Sequence, residues 1–425
     1  MVTSPELLVI PPPFPENQPR ALWRLLEPQI QPEDWTEAIQ AAMGCLEGLP
    51  LLEHKPEPSR VMTDILSEAQ FGPNHWRMNR SKQIYYQFVR PFLPGFLRAH
   101  LRTILLSRQR DGSALHWPIE DRYVRFQCAI VAHLMANRSL DSIPYIHFWP
   151  VGKRFAFVLT HDVETADGQK HVREVAGLDE RYGFRSSFNF VPEKYRIDPE
   201  LISELKGRGF EVGVHGLKHD GRLFSSKAIF DSRAKKINGY LKQWNAAGFR
   251  SPMTHRNPEW MQTLDIEYDL SFFDTDPYEP IPGGTMSIWP FQMGKFIELP
   301  YTMAQDHTLM VTLGETSPRL WLEKVDFIGK YHGMALVNAH PDYLKNPPNY
   351  AIYEAFLQQM HEREGYWQAL PREVARWWKV RATIPLENCI MGIEKIKADG
   401  FDFSIGHISR MGMNICFYNS VLGAL

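Results

Sequence analysis

The chain has 425 residues, 44% of them hydrophobic and 12% aromatic, enough to bury a large core and more than one domain usually holds, so a main domain with extensions is expected. A total of 47 Lys and Arg against 49 Asp and Glu leaves a formal net charge of −2, which excludes a basic footprint for nucleic acid and an acidic tail. Cys45, Cys128, Cys389 and Cys416 lie far apart with no Cys-x-x-Cys spacing, which argues against a disulfide framework or a thiolate zinc site and for free buried thiols.

Residues 1–15 lack a basic start followed by a sustained apolar run, and Pro11, Pro12, Pro13 and Pro15 would break a signal helix. No uninterrupted apolar stretch approaches the roughly 18 residues of a membrane span, so a cytoplasmic location is expected. From 20 to 145 the apolar spacing is mainly helical, at 21–30, 35–49, 96–106 and 123–135. Within it, 83–110 mixes aromatics with Arg90, Arg98, Arg102, Arg108 and Arg110. That pattern fits either a basic amphipathic helix on a membrane surface or intrachain packing with solvated arginines.

After Pro150 short β-rich runs alternate with helical stretches. Strands are expected at 155–159, 187–191, 210–214, 296–299 and 335–338, and helices through 175 and at 200–206, 228–244 and 320–331. Such alternation implies parallel strands with crossover helices, closing into an α/β barrel whose chemistry sits at the C-terminal strand ends. The expected division is an N-terminal helical region at 1–150, a barrel at 151–380 and a C-terminal extension at 381–425 whose mixed apolar runs reveal no role.

The first strand runs from Phe155 through Leu159 and Thr160 into His161-Asp162-Val163-Glu164. Period-two alternation points Asp162 and Glu164 the same way, and two carboxylates converging at a strand end invite a cation, although an Asp-x-Glu pair also suits a solvated turn. The third strand ends in His215-Gly216-Leu217-Lys218-His219, and a spacing of four brings the two imidazoles together if the chain turns helically there. Two imidazoles, one carboxylate and an open position make a common hydrolytic zinc site.

Here the sequence resembles a known family. Leu159-Thr160-His161-Asp162-Val163-Glu164 is similar to the first motif of the polysaccharide deacetylases of NodB type, and His215 to His219 is similar to their second. Phe249-Arg250-Ser251-Pro252 resembles the third motif, Asp274-Thr275-Asp276-Pro277-Tyr278 stands where the fourth is expected, and Leu336-Val337-Asn338-Ala339-His340-Pro341 resembles the fifth. The commonest first motif has adjacent aspartates, whereas here Val163 intervenes and the second acid is Glu164; a subset of the family with Asp-Val-Asp is the better match.

The resemblance covers about residues 155–378 and implies a distorted (β/α)7-type barrel with an N-terminal helical extension. It also implies one divalent metal, with zinc the expected ion, on Glu164, His215 and His219. Asp162 is then the base, Arg250 keeps it ionised, and His340 is the general acid. The family's pairing of an Asp with that His implies Asp274 beside His340, with Asp276 the alternative. The implied activity is hydrolysis of an N-acyl group, acetyl first of all, on an amino sugar of a glycan precursor or lipid-linked sugar. Deacylation of a small non-sugar amide, O-deacetylation, and non-catalytic carbohydrate binding are the competing readings. Asp306 and His307, and His255 and Arg256, either line the cleft or are solvated in loops; Phe272, Phe273, Tyr278 and Trp289 either stack on sugars or belong to the core.

Overall fold

The computed structural model describes residues 17–72, 75–76, 110–150, 152–385, 395–398, 400–412 and 414–419. The helix expected at 96–106, Cys389, and all of the basic segment 83–110 except Arg110 lie outside the described residues.

The described part of the N-terminal region is largely helical, as its periodicity implies. Its helices among the described residues include α1 (Pro19–Trp23), α2 (Pro32–Ala42), α3 (Val61–Leu66) and α4 (Arg122–Asn137). Helix α2 starts on a proline, which needs no amide partner there, and the Asp34 carboxylate accepts the Gln31 amide at 2.7 Å. Its buried Trp35, Ala38, Ile39 and Ala42 recur at one-face spacing. Helix α4 is apolar nearly all round because it is covered by α2 on one flank and by the C-terminal strands on another. Burial within it pushes the Cys128 thiol up to about 12, and Cys45, Cys128 and Cys416 are free.

Strand β1 (Ser142–Ile146) precedes the barrel. The barrel then runs β2 (Phe155–Val163), α5 (Ala166–Arg181), β3 (Ser186–Phe190), α6 (Pro199–Gly207), β4 (Glu211–His215), α7 (Lys227–Gln243), β5 (Gly248–Arg250), α8 (Pro258–Met261) and β6 (Tyr268–Asp269). It continues with a hairpin of β7 (Phe291–Met293) and β8 (Phe296–Glu298), then α9 (Arg319–Lys330) and β9 (Met334–Ala339). The short α10 (Pro341–Leu344), α11 (Pro347–His361), β10 (Tyr366–Gln368) and α12 (Pro371–Thr383) complete it.

Strands β2, β3, β4, β5, β6 and β8 are parallel neighbours in that order, and β9 lies on the other side of β2. The seam between the chain after β8 and β9 is closed by the amides of Thr302 and Met303 on the Leu336 carbonyl, and by the Thr302 hydroxyl on Met334 O at 2.6 Å. Seven parallel strands thus form a barrel, with β10 as an eighth parallel strand on the start of β2; it is distorted because β5 and β6 pair over only two residues. Every residue of β2 is buried, so it reads as a continuous apolar run rather than an alternation. Strands β5, β6, β7 and β10 are too short to show in periodicity.

The described part of the C-terminal extension is β11 (Lys395–Ala398), β12 (Phe401–Met411) and β13 (Asn414–Asn419), an antiparallel sheet that takes β1 as a further strand. It packs on the last barrel helix, where Phe403 stacks on Trp377 with centroids 4.1 Å apart. Arg381 of α12 binds the N-terminal region by donating to the carbonyls of Leu22, Ile146 and His147. At the strand-end face of the barrel, Arg256 makes a bidentate ion pair with Glu68 and lies against the rings of Phe272 and Phe273. Both ends of the barrel are therefore held by the N-terminal region.

At the α9–β9 turn the indoles of Trp149 and Trp289 both donate to the His332 carbonyl, at 2.8 and 3.1 Å. Burial, then the neighbouring His147 and Arg154, hold the His332 imidazole well below 6.5. As pH falls below about 6.5 the unfolded chain takes the proton first, so stability present above that pH is lost toward acid at about 1.4 kcal/mol per pH unit. His332→Asn suits the left-handed φ of 55° and is expected to flatten the pH dependence by that slope between pH 6 and 5. Urea unfolding at both pH values checks it; an unaltered slope contradicts it.

Candidate active site

The site gathers at the C-terminal ends of β2, β4, β5 and β9. Asp162 is the penultimate residue of β2 and Glu164 lies one residue beyond it, and the alternation turns both to the same imidazole: His340 Nε2 is 3.9 Å from Asp162 Oδ2 and from Glu164 Oε1. His215 ends β4. The turn that returns His219 to the site is not the helical one expected from the spacing; Gly216 has φ 62° and His219 φ 52°, and the next helix begins at Lys227. Gly216 is required because a Cβ there would meet the Pro252 ring at 2.3 Å.

His219 Nε2 lies 2.9 Å from Glu164 Oε1 and His215 Nε2 lies 3.8 Å from it. One ligand atom from each of the three residues falls within 4.8 Å of the others. Nδ1 of His215 is 3.1 Å from the Arg250 carbonyl, which can only accept, so the ring proton is assigned to Nδ1 and Nε2 carries a lone pair. That Nε2 is buried and has no hydrogen-bond partner. A buried lone pair aimed at a carboxylate is unfavourable without a cation between them, and two imidazoles with one carboxylate are the donor set of hydrolytic zinc. The residues fit a divalent ion. Although burial raises the Glu164 carboxyl, the neighbouring His219 imidazole holds it well below the usual carboxylate range. Glu164 and His219 keep some exposure, 23% and 15% of their side chains, so the site opens on their side.

Asp162 is buried and receives three donors. Arg250 Nη1 at 3.1 Å and Asn189 Nδ2 at 3.0 Å both reach Oδ1, and Asn338 Nδ2 reaches Oδ2 at 3.1 Å. Burial works against the charge, but Arg250 and His340, with the Asn189 hydrogen bond, outweigh it and keep Asp162 ionised. Oδ1 is saturated, which leaves the second lone pair of Oδ2 as the basic site. Arg250 is itself fixed by donating to Leu270 O, Thr160 Oγ1 and Asn338 Oδ1. In the sequence Asn189 and Asn338 carry no signal beyond being polar residues near the end of an apolar strand, Asn338 within the fifth motif.

His340 follows β9, and its acidic partner differs from the expected one. Asp306 accepts both from the ring, with Nδ1 2.6 Å from Oδ1, and from the His340 amide at 2.7 Å. Burial disfavours the imidazolium, yet Asp306 raises the group to about 10. Asp274 instead pairs with Lys324 and accepts the Thr275 amide, and burial pushes its carboxyl up to about 6. Asp276 accepts the Tyr278 amide, and its backbone bridges to Gly283. The β6–β7 connection folds back on itself at the Asp276–Gly283 bridge, and the hydrogen bonds and ion pair of both acids are made to groups other than His340. Asp306 lies beside His340 because the chain after β8 is hydrogen-bonded to β9 across the barrel seam.

Of the remaining candidates, His255 is buried with an unpartnered Nε2, and burial lowers it to about 4. Arg256 is committed to Glu68; Phe272, Phe273 and Trp289 belong to the core, and Tyr278 is buried against the ring of Trp117.

No family model and no curated protein matches the chain. Solved structures do resemble it. One described as a polysaccharide deacetylase from Mycobacterium smegmatis is 19% identical with a TM-score of 0.46, over 54% of this chain and 92% of that one. An allantoinase is 14% identical with a TM-score of 0.46, over 56% of this chain and 94% of its own. A peptidoglycan deacetylase from Bacillus subtilis is 13% identical with a TM-score of 0.35, over 54% of this chain and 93% of that one. At these identities the chemistry of this chain has to be read from its own residues.

Proposed function

We propose that this chain is a metal-dependent hydrolase that removes an N-acyl group, acetyl in the first instance, from an amino sugar. The observation that carries the reading is the convergence of Glu164, His215 and His219, with the lone pair of His215 Nε2 buried and unpartnered, next to a carboxylate and an imidazole in opposite protonation states. A divalent ion on those three residues, zinc by the donor set, supplies a Lewis acid that acidifies water and polarises an acyl oxygen.

The chain's own groups do the rest. Asp162 accepts a proton from the attacking water at Oδ2, while Arg250, Asn189 and Asn338 keep its carboxylate charged and aimed. His340, protonated and held by Asp306, delivers a proton from Nε2 to the departing nitrogen. One proton enters and one leaves, so the pair is restored by exchange between turnovers. The 1–150 and 381–425 segments are proposed to brace the barrel, and contact with a lipid-linked sugar at a membrane surface belongs to the same proposal. Among the described residues no helix is long and apolar enough to cross a membrane.

The test is zinc titration of the metal-stripped protein together with acetate release from N-acetylated oligosaccharides. We expect one zinc per chain, lost in His215→Ala, and zinc-dependent acetate release. Release only from O-acetyl esters or small amides would replace the substrate class, and stoichiometric zinc binding that survives His215→Ala would remove the site.

A further inference from the structure

Glu164 lies beyond the ladders that β2 makes with β3, β9 and β10, which end at Val163, His161 and Phe157. Its amide is held by a side chain: Asp342 Oδ2 accepts Glu164 N at 3.0 Å, and the other oxygen of the same carboxylate accepts the Thr165 hydroxyl. Thr165 caps α5, with its Oγ1 accepting the Gly168 amide at 3.0 Å. Asp342 belongs to α10, the turn that begins immediately after His340, and Lys345 at the end of that turn pairs with Asp167 of α5. The approach is close enough to require a glycine. A Cβ at Gly168 would fall 2.1 Å from Asp342 Oδ2 and 2.4 Å from its Cγ, which explains Gly in a helix where Ala is favoured by about 1 kcal/mol.

We propose that Asp342 is a positioning residue for the metal ligand Glu164, and that it couples that ligand to the proton donor His340. Its carboxylate sets the backbone from which Glu164 reaches toward His215 and His219. Because it rides on the turn starting at His340, it also fixes the spacing between ligand and acid. The role rests on the reading of Glu164, His215 and His219 as a metal site. Outer groups that orient a ligand commonly change metal affinity by about 10–100-fold when removed.

Zinc affinity measured by chelator competition, alongside thermal melting of the metal-free proteins, tests this. Asp342→Ala and Gly168→Ala are expected to weaken zinc by about 10–100-fold, the second by displacing the carboxylate without altering it. Asp342→Asn keeps an acceptor for the Glu164 amide and is expected to stay within about threefold of wild type. Unchanged zinc affinity in Asp342→Ala and Gly168→Ala, with or without a lower melting temperature, overturns the role. So does an Asp342→Asn loss as large as that of Asp342→Ala, which would make the effect one of charge. If Asp342→Ala does not fold, Gly168→Ala decides. His215→Ala in the same assay separates the two readings: zinc binding as tight as wild type there means the metal site itself is misassigned.

Discussion

Asp162→Asn is expected to lower turnover by about 10²–10⁴-fold, the range general base catalysis contributes, while zinc still binds. The carboxylate lies in the group around the site but is not one of the three residues whose ligand atoms cluster, so its loss removes a proton acceptor rather than a ligand. Glu164→Ala and His215→Ala are expected to lose zinc together with activity. The amide also introduces a conflict, because all three partners of Asp162 are donors. One of them would face the new NH₂ group, at about 1–3 kcal/mol for a buried unsatisfied contact. Unfolding measurements on the metal-free variant isolate that part. Turnover within tenfold of wild type, with zinc bound, would contradict the assignment of Asp162 as base.

His340→Ala is expected to divide substrates by leaving group. Amide nitrogen departs poorly unless protonated, so loss of the donor should lower amide hydrolysis by about 10²–10⁴-fold. An activated aryl ester needs no such help, and its hydrolysis should fall much less. Asp306→Asn should move in the same direction more weakly: the ring keeps a partner at Nδ1, but the charge that holds the imidazole protonated is gone. Parallel kinetics on an N-acetyl saccharide and an activated acetate ester check this. Equal losses on both substrates would show that His340 acts other than as a proton donor.

What the sequence determined by itself is the set of strand ends at which the candidate site gathers. Strands β2, β4 and β9 are buried on both faces of the sheet, so β2 and β9 are mainly apolar runs and β4 is apolar at Val212 and Val214, and the polar residues at each C-terminal end, Asp162 and Glu164, His215, and His340, stand out against them. Alternation along a strand is local geometry, which is why the shared direction of Asp162 and Glu164 could be read before any fold was known. Tertiary structure decided the pairings between strand ends. Asp306 rather than Asp274 meets His340 because the barrel closes between the chain after β8 and β9, a contact spanning 34 residues that no local spacing encodes. Asn189 and Asn338 meet at Asp162 from two different strands, and the left-handed residues Gly216 and His219 return the second imidazole by a loop instead of a helix. The C-terminal strands were illegible for the same reason: β12 finds its partner β1 about 260 residues earlier, at Ser142↔Ser409 through Ile146↔Ile405. Periodicity records which face of an element is buried, whereas a partner distant in sequence is chosen only when the whole chain has packed.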